Sequence, residues 1–72
     1  MTAEEAVETA RRLAQQQGWP WLAPVEARRR RAFLLGPARW HVWSNADSRG
    51  ANVRVVIDDA SGAVVERGFL PR

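Results

Sequence analysis

The chain contains no cysteine, no lysine and no tyrosine, and it has a single histidine, His41. Without cysteine it cannot form a disulfide, a zinc-ribbon site, an iron–sulfur site or a thiol nucleophile. One histidine without a G-x-S-x-G sequence does not provide the pairing of base and nucleophile on which hydrolytic enzymes rely. We therefore expect a protein that is not an enzyme and that needs no cofactor and no metal.

Long hydrophobic runs are missing as well. No stretch approaches the roughly 18 apolar residues of a membrane span, and the acidic residues near the N-terminus are unlike a secretory signal. We therefore expect a cytoplasmic protein with no membrane partner. The 72 residues suffice for one small domain, residues 1–72. A domain of this size buries only ~60% of its unfolded surface, so its net stability should be about a few kcal/mol.

Arginine supplies all the positive charge outside histidine and the N-terminus: there are eleven arginines, and the formal net charge is +3. This choice can reflect genomic base composition, or it can mark a surface that binds carboxylates or phosphates, because arginine forks onto both. The absence of lysine and tyrosine itself raises the isoelectric point. The basic character is therefore weak evidence for nucleic-acid binding.

A helix is predicted over residues 2–17. Thr2 and Glu5 form a T-x-x-E capping box, acidic residues lie in the first turns, and alanines with Val7 and Leu13 form one apolar stripe. Gly18 is the expected left-handed stop. The proline-containing connector that follows is irregular, and its residues Trp19 and Trp21 are predicted to cover the edge of the core.

Four segments alternate as β-strands do, over residues 24–35, 39–45, 53–58 and 63–70. Gly36-Pro37 predicts a two-residue type II′ turn, and Asp59-Ala60-Ser61-Gly62 predicts a type I turn with Gly62 left-handed. One helix followed by four strands predicts an α+β fold in which the N-terminal helix packs on a four-stranded antiparallel meander. The other face of the sheet is then left open to solvent or to a partner.

If Gly36-Pro37 is a two-residue turn, Leu35 faces Ala38 across the first hairpin. The residue numbers of each facing pair in the first two strands then add up to 73. The resulting pairs include Phe33 with Trp40 on the helix side, and Arg30 with Trp43 and Ala32 with His41 on the open side. The open face is then basic and aromatic. Its predicted partner-binding residues are Arg28, Arg30, His41, Trp43 and Arg54.

Residues 28–31 are four consecutive arginines. Because strand side chains alternate between the two faces of a sheet, Arg29 and Arg31 are expected to point toward the helix side. Either the helix leaves that end uncovered or a bulge rotates the strand. The run itself can be an edge-strand device against aggregation, a surface for a protein partner, or a surface for nucleic acid.

The last hairpin contains adjacent carboxylates, Asp58 and Asp59, which we interpret as builders of its turn rather than as an acid pair or a metal site. Its register is left open by the sequence. Depending on whether the turn carries a bulge, either Glu66 or Arg67 points toward the helix side.

The chain resembles PepSY-type domains and related small cystatin-like modules over residues 3–17 and 38–66. The likeness rests on an alanine-rich helix, a W-x-V strand and a V-x-V-x-I-D-x-x-[ST]-G-x-V hairpin, here Trp40-His41-Val42, then Val53-Arg54-Val55-Val56-Ile57-Asp58 with Ser61-Gly62-Ala63-Val64. Some immunity proteins of bacterial toxin systems look similar. The resemblance implies binding or inhibition of other proteins.

These features favour a non-catalytic protein-binding module, of an inhibitor, immunity or accessory type, that docks through its open sheet face or an edge strand. The partner can be another protein or a second copy of the chain, which would give a homodimer. The alternative is a small nucleic-acid-binding protein that uses the same face, with phosphates on arginine and a base stacked on Trp43.

Overall fold

A computed structural model describes residues 1–31 and 34–71, and it confirms one helix packed on a four-stranded antiparallel sheet. The helix, α1, spans Ala3–Gln17. Thr2 and Glu5 form the predicted capping box, and Gly18 ends the helix in the left-handed conformation with φ 73°. None of the helical residues that the structure describes form a segment long and apolar enough to span a bilayer.

The sheet has its strands in chain order. Strand β1 spans Glu26–Arg31, β2 Ala38–Trp43, β3 Asn52–Asp58 and β4 Val64–Leu70. β2 and β3 are central, whereas β1 and β4 are the edges. This order is the expected meander.

The core lies between α1 and one face of the sheet. It consists of small helix residues and branched strand residues: Ala6, Ala10, Leu13, Ala14, Val42, Val53, Val55 and Ile57. Three of the four helix residues are alanines, whose short side chains allow the helix backbone to approach the sheet closely. Trp19 and Trp21 pack against this core as predicted, and Trp19 stacks on Phe69 with ring centroids 6.0 Å apart.

The predicted pairing of the first two strands is wrong. The residue numbers of facing residues sum to 69 rather than 73, so Arg28 faces His41, Arg29 faces Trp40 and Arg30 faces Arg39. The predicted positions of Ala32 and Phe33 lie outside the described residues. Leu34 and Leu35 belong to a turn instead of a strand, so Gly36-Pro37 is not a two-residue connection between paired strands.

The physical reason for the observed register is the core. It places small Ala27 opposite fully buried Val42, whereas the predicted register would place Arg31 there. Because the two registers differ by an even number of residues, the side chains of β1, Glu26–Arg31, keep their predicted faces.

β2 ends at Trp43 rather than at Asn45. Ser44 is fully buried, and its hydroxyl accepts a hydrogen bond from the Val53 amide at 2.9 Å. The next residue, Asn45, has φ 51°, which ends the extended conformation. The Asn52 side chain holds the loop between β2 and β3 through bonds to three of its carbonyl oxygens.

The last hairpin has the predicted turn, with Gly62 at φ 74°. A register shift between Val56 and Ile57 settles the question that the sequence left open: Val56 pairs with Glu66, while Ile57 pairs with Val64. Glu66 therefore lies on the open face and Arg67 on the helix side.

Candidate functional site

The open face of the sheet is ordered in rows that run across the strands. One row is Glu26, Trp43, Arg54 and Gly68, and the next is Arg28, His41, Val56 and Glu66. All five predicted partner-binding residues thus lie on this face. Arg28, Arg30 and Arg54 are exposed, whereas His41 and Trp43 are half-buried.

A surface depression of about 560 Å³ lies on this face. Four of the five predicted residues line it, namely Arg30, His41, Trp43 and Arg54. Arg28 pairs with His41 but, among the described residues, does not line the depression. The rim combines two guanidinium groups with an indole, which suits a partner that presents carboxylates and apolar surface.

Burial and the neighbouring arginines together favour the neutral form of His41. Burial, followed by the positive charges of Arg30 and Arg54, lowers the pKa of His41 below its usual value. The ring is therefore neutral at pH 7 and can donate and accept a hydrogen bond.

Val56 is only 1% exposed, although no second layer of the described chain covers this face. Its cross-strand neighbours are His41 and Glu66. Val56 is therefore already enclosed by its neighbours, which leaves the arginines, His41 and Trp43 as the groups on this face that a partner can contact.

The difficulty over Arg29 is resolved on the helix side. The Arg29 guanidinium donates a hydrogen bond to Asp59 at 3.2 Å and stays 45% exposed, and β1 pairs with β2 here without a bulge. The indole Nε1 of Trp40 donates to the same carboxylate at 2.7 Å. These donors, the indole first, hold the pKa of Asp59 below its usual range.

Asp59 was predicted to build the turn, and the structure gives it a longer-range contact. Only Asp58 binds the turn, where its carboxylate accepts from the Ser61 amide and hydroxyl at 2.9 and 2.7 Å. The Ser61 donors lower the pKa of Asp58. Asp59 instead ties the last hairpin to β1 and β2.

The sequence interpretation missed four of the lining residues, namely Asn52, Gly68, Phe69 and Leu70. Among them, Gly68 and Leu70 lie on the open face of β4, and Leu70 is 58% exposed. A glycine inside a strand is a signal that could have identified this position, because it weakens the strand and often marks close approach of a ligand.

No family model, curated protein or solved structure matches the chain. The resemblance to PepSY-type domains therefore stays a prediction from the sequence.

Proposed function

We propose that the chain is a non-catalytic protein-binding module, of an inhibitor, immunity or accessory type, that binds an acidic partner on its open sheet face. The observation that carries the proposal is the depression lined by Arg30, His41, Trp43 and Arg54. Tryptophan and arginine are the residues that most often dominate binding energy at protein interfaces. Leu70, which lines the same depression and is 58% exposed, supplies apolar surface beside them.

The non-catalytic part of the proposal rests on His41. Burial and the nearby arginines lower its pKa, and in the described part of the chain it makes no hydrogen bond to a carboxylate that would orient it as a base. A cytoplasmic location is a further prediction, which cell fractionation tests.

A protein partner is favoured over nucleic acid by the carboxylates on the same face. Glu26 pairs directly with Trp43, and Glu66 pairs with Val56. A phosphate backbone that crossed the face would meet these negative charges, whereas a protein partner can match each sign locally.

Nucleic-acid binding is the second candidate, because Arg28, Arg30, Arg39 and Arg54 share this face with an indole. Such binding should weaken linearly on a log–log plot as salt rises. Absence of binding to single-stranded DNA and RNA at low salt would remove this candidate.

Co-purification from the native cell at moderate salt, with and without nuclease, tests the main proposal. A bound protein should survive nuclease, be lost from Trp43→Ala and Arg54→Gln, and be retained by Arg12→Gln. Arg12→Gln is the matched control because it removes the same charge from α1, on the opposite side of the sheet. Loss of the bound material on nuclease treatment would instead support the second candidate, and sedimentation equilibrium shows whether the partner is a second copy of the chain.

A further inference from the structure

Gly68 lies within edge strand β4, where glycine is unfavourable because it weakens a strand and contributes no side chain. Neither backbone nor packing requires it. Its φ lies outside the left-handed region, and a Cβ added there would meet, apart from its chain neighbours, no atom of the described residues within 4 Å. What glycine provides at this position is the empty space above it.

That space connects Arg54 with the free edge of the sheet. Arg54 pairs with Gly68, so no side chain of β4 stands between its guanidinium and the edge in this row. A second depression, of about 600 Å³, borders the first and shares Arg54 and Gly68 with it.

The two edges of the sheet differ in how they would receive another strand. β1 carries four consecutive arginines, a charge pattern that discourages strand pairing. β4 presents apolar side chains, with Val65 43% exposed and Leu70 58% exposed. The bulge near Val65 leaves residues 66–70 as its regular part.

We propose that β4 binds an extended acidic segment of another protein as a fifth strand, with a carboxylate side chain opposite Gly68 that reaches Arg54. This inference rests on the proposed protein-binding function and names its docking mode. Two strand spacings, roughly 10 Å, separate a fifth strand from β3, a distance that a glutamate and an arginine side chain span together. Any side chain at residue 68 would stand in that path.

A second copy of the chain fits this edge less well. In an antiparallel pair of two β4 strands related by a two-fold axis, the register that places Glu66 opposite Gly68 places Arg67 opposite Arg67 of the other copy. Like charges directly opposite each other are destabilising. The charge pattern therefore favours a different chain as the occupant.

The probe is a capped peptide, Thr-Val-Thr-Glu-Thr-Val-Thr, compared with the same peptide carrying Gln at its centre. Amide hydrogen exchange at residues 66–70, followed by NMR, reports whether β4 gains a neighbour. Chemical-shift titration gives both dissociation constants. We expect slower exchange in β4 and binding of the Glu peptide about threefold tighter than the Gln peptide, as for an exposed ion pair.

Two variants test the role of the empty space above Gly68. Gly68→Val and Arg54→Gln should each bring the ratio of the two dissociation constants to about one, whereas Arg12→Gln should leave it unchanged. Gly68→Val is expected to fold because its side chain enters open space. A ratio that survives Gly68→Val overturns the proposal.

The remaining outcomes separate this inference from the proposed function. Shifts confined to the Trp43 side of the open face, without slower exchange in β4, would overturn strand addition and leave face docking intact. Concentration-dependent protection of β4 without peptide would identify a second copy as the occupant and would also overturn it. If neither peptide, at about millimolar concentration, slows exchange in β4, strand addition is wrong, and the co-purification with Trp43→Ala still decides the proposed function.

Discussion

Replacing Gly68 by valine should stabilise the fold, whereas the same replacement at Gly62, in the turn of the same hairpin, should destabilise it. Gly68 has a φ outside the left-handed region, and a Cβ added to it would enter open space, so valine adds β-propensity and removes unfolded-state freedom without a clash. We expect a gain of about 1 kcal/mol in the free energy of unfolding. For a domain of this size that raises Tm by roughly 4–8 °C.

Gly62 has φ 74°, a conformation in which an L side chain costs about 1–2 kcal/mol. Gly62→Val should therefore lower Tm by roughly 4–16 °C. Thermal unfolding followed by circular dichroism measures both variants under identical conditions. A loss of stability in Gly68→Val would refute the reasoning, because it would show that the fold itself requires glycine there and that the empty space is not kept for a ligand.

Three further predictions concern other parts of the chain. Thr2→Ala removes the N-cap of α1 and should cost about 1 kcal/mol in thermal unfolding; an unchanged Tm would contradict the capping role. Ser44→Ala leaves the buried Val53 amide without an acceptor and should cost about 1–3 kcal/mol in urea unfolding, with faster exchange of that amide; unaltered exchange would contradict it. His41 should titrate below 6.5 by NMR, and Arg54→Gln should move its pKa toward that value. Since the unfolded chain then takes up the proton first, stability should fall as the pH drops just below 6.5, and a His41→Gln variant should lack this part of the dependence but keep the fall at lower pH that the carboxylates cause.

Local signals in the sequence predicted most of the fold. The capping box at Thr2 and Glu5 and the stop at Gly18 act within a few residues, so they can be identified without tertiary information. The turn at Gly62 is of the same kind. These signals placed the helix and the last two strands within one residue of their observed bounds.

The register of β1 against β2 depends on a contact between distant segments. Gly36-Pro37 favoured a short turn, but burial of Ala27 opposite Val42 decided the pairing. The predicted set of residues on the open face is nevertheless correct, because the register error is an even number of residues. The bulge in β4 could not be predicted either, since the turn sequence is compatible with both hairpin registers.

The contacts of Asp59 could not be predicted from the sequence for a different reason. Its indole donor, on Trp40, lies 19 residues away in sequence, and nothing in the local pattern distinguishes a turn aspartate from one that accepts at long range. Gly68 was within reach, because a glycine in the middle of an alternating strand is visible in the sequence.

The hydrogen bond between Arg29 and Asp59 also affects how β1 unfolds locally from the sheet. β1 contributes only the half-buried Ala27 to the packing under α1, and its remaining residues are exposed. Such an element should separate from the sheet at a free energy well below that of global unfolding, as a cooperative unit of its own. Asp59 is the side chain in the last hairpin that holds it. Native-state hydrogen exchange of an Asp59→Asn variant should therefore show β1 amides exchanging faster while β3 amides keep the global rate. One half-buried carboxylate would then set the order in which the strands of this sheet open.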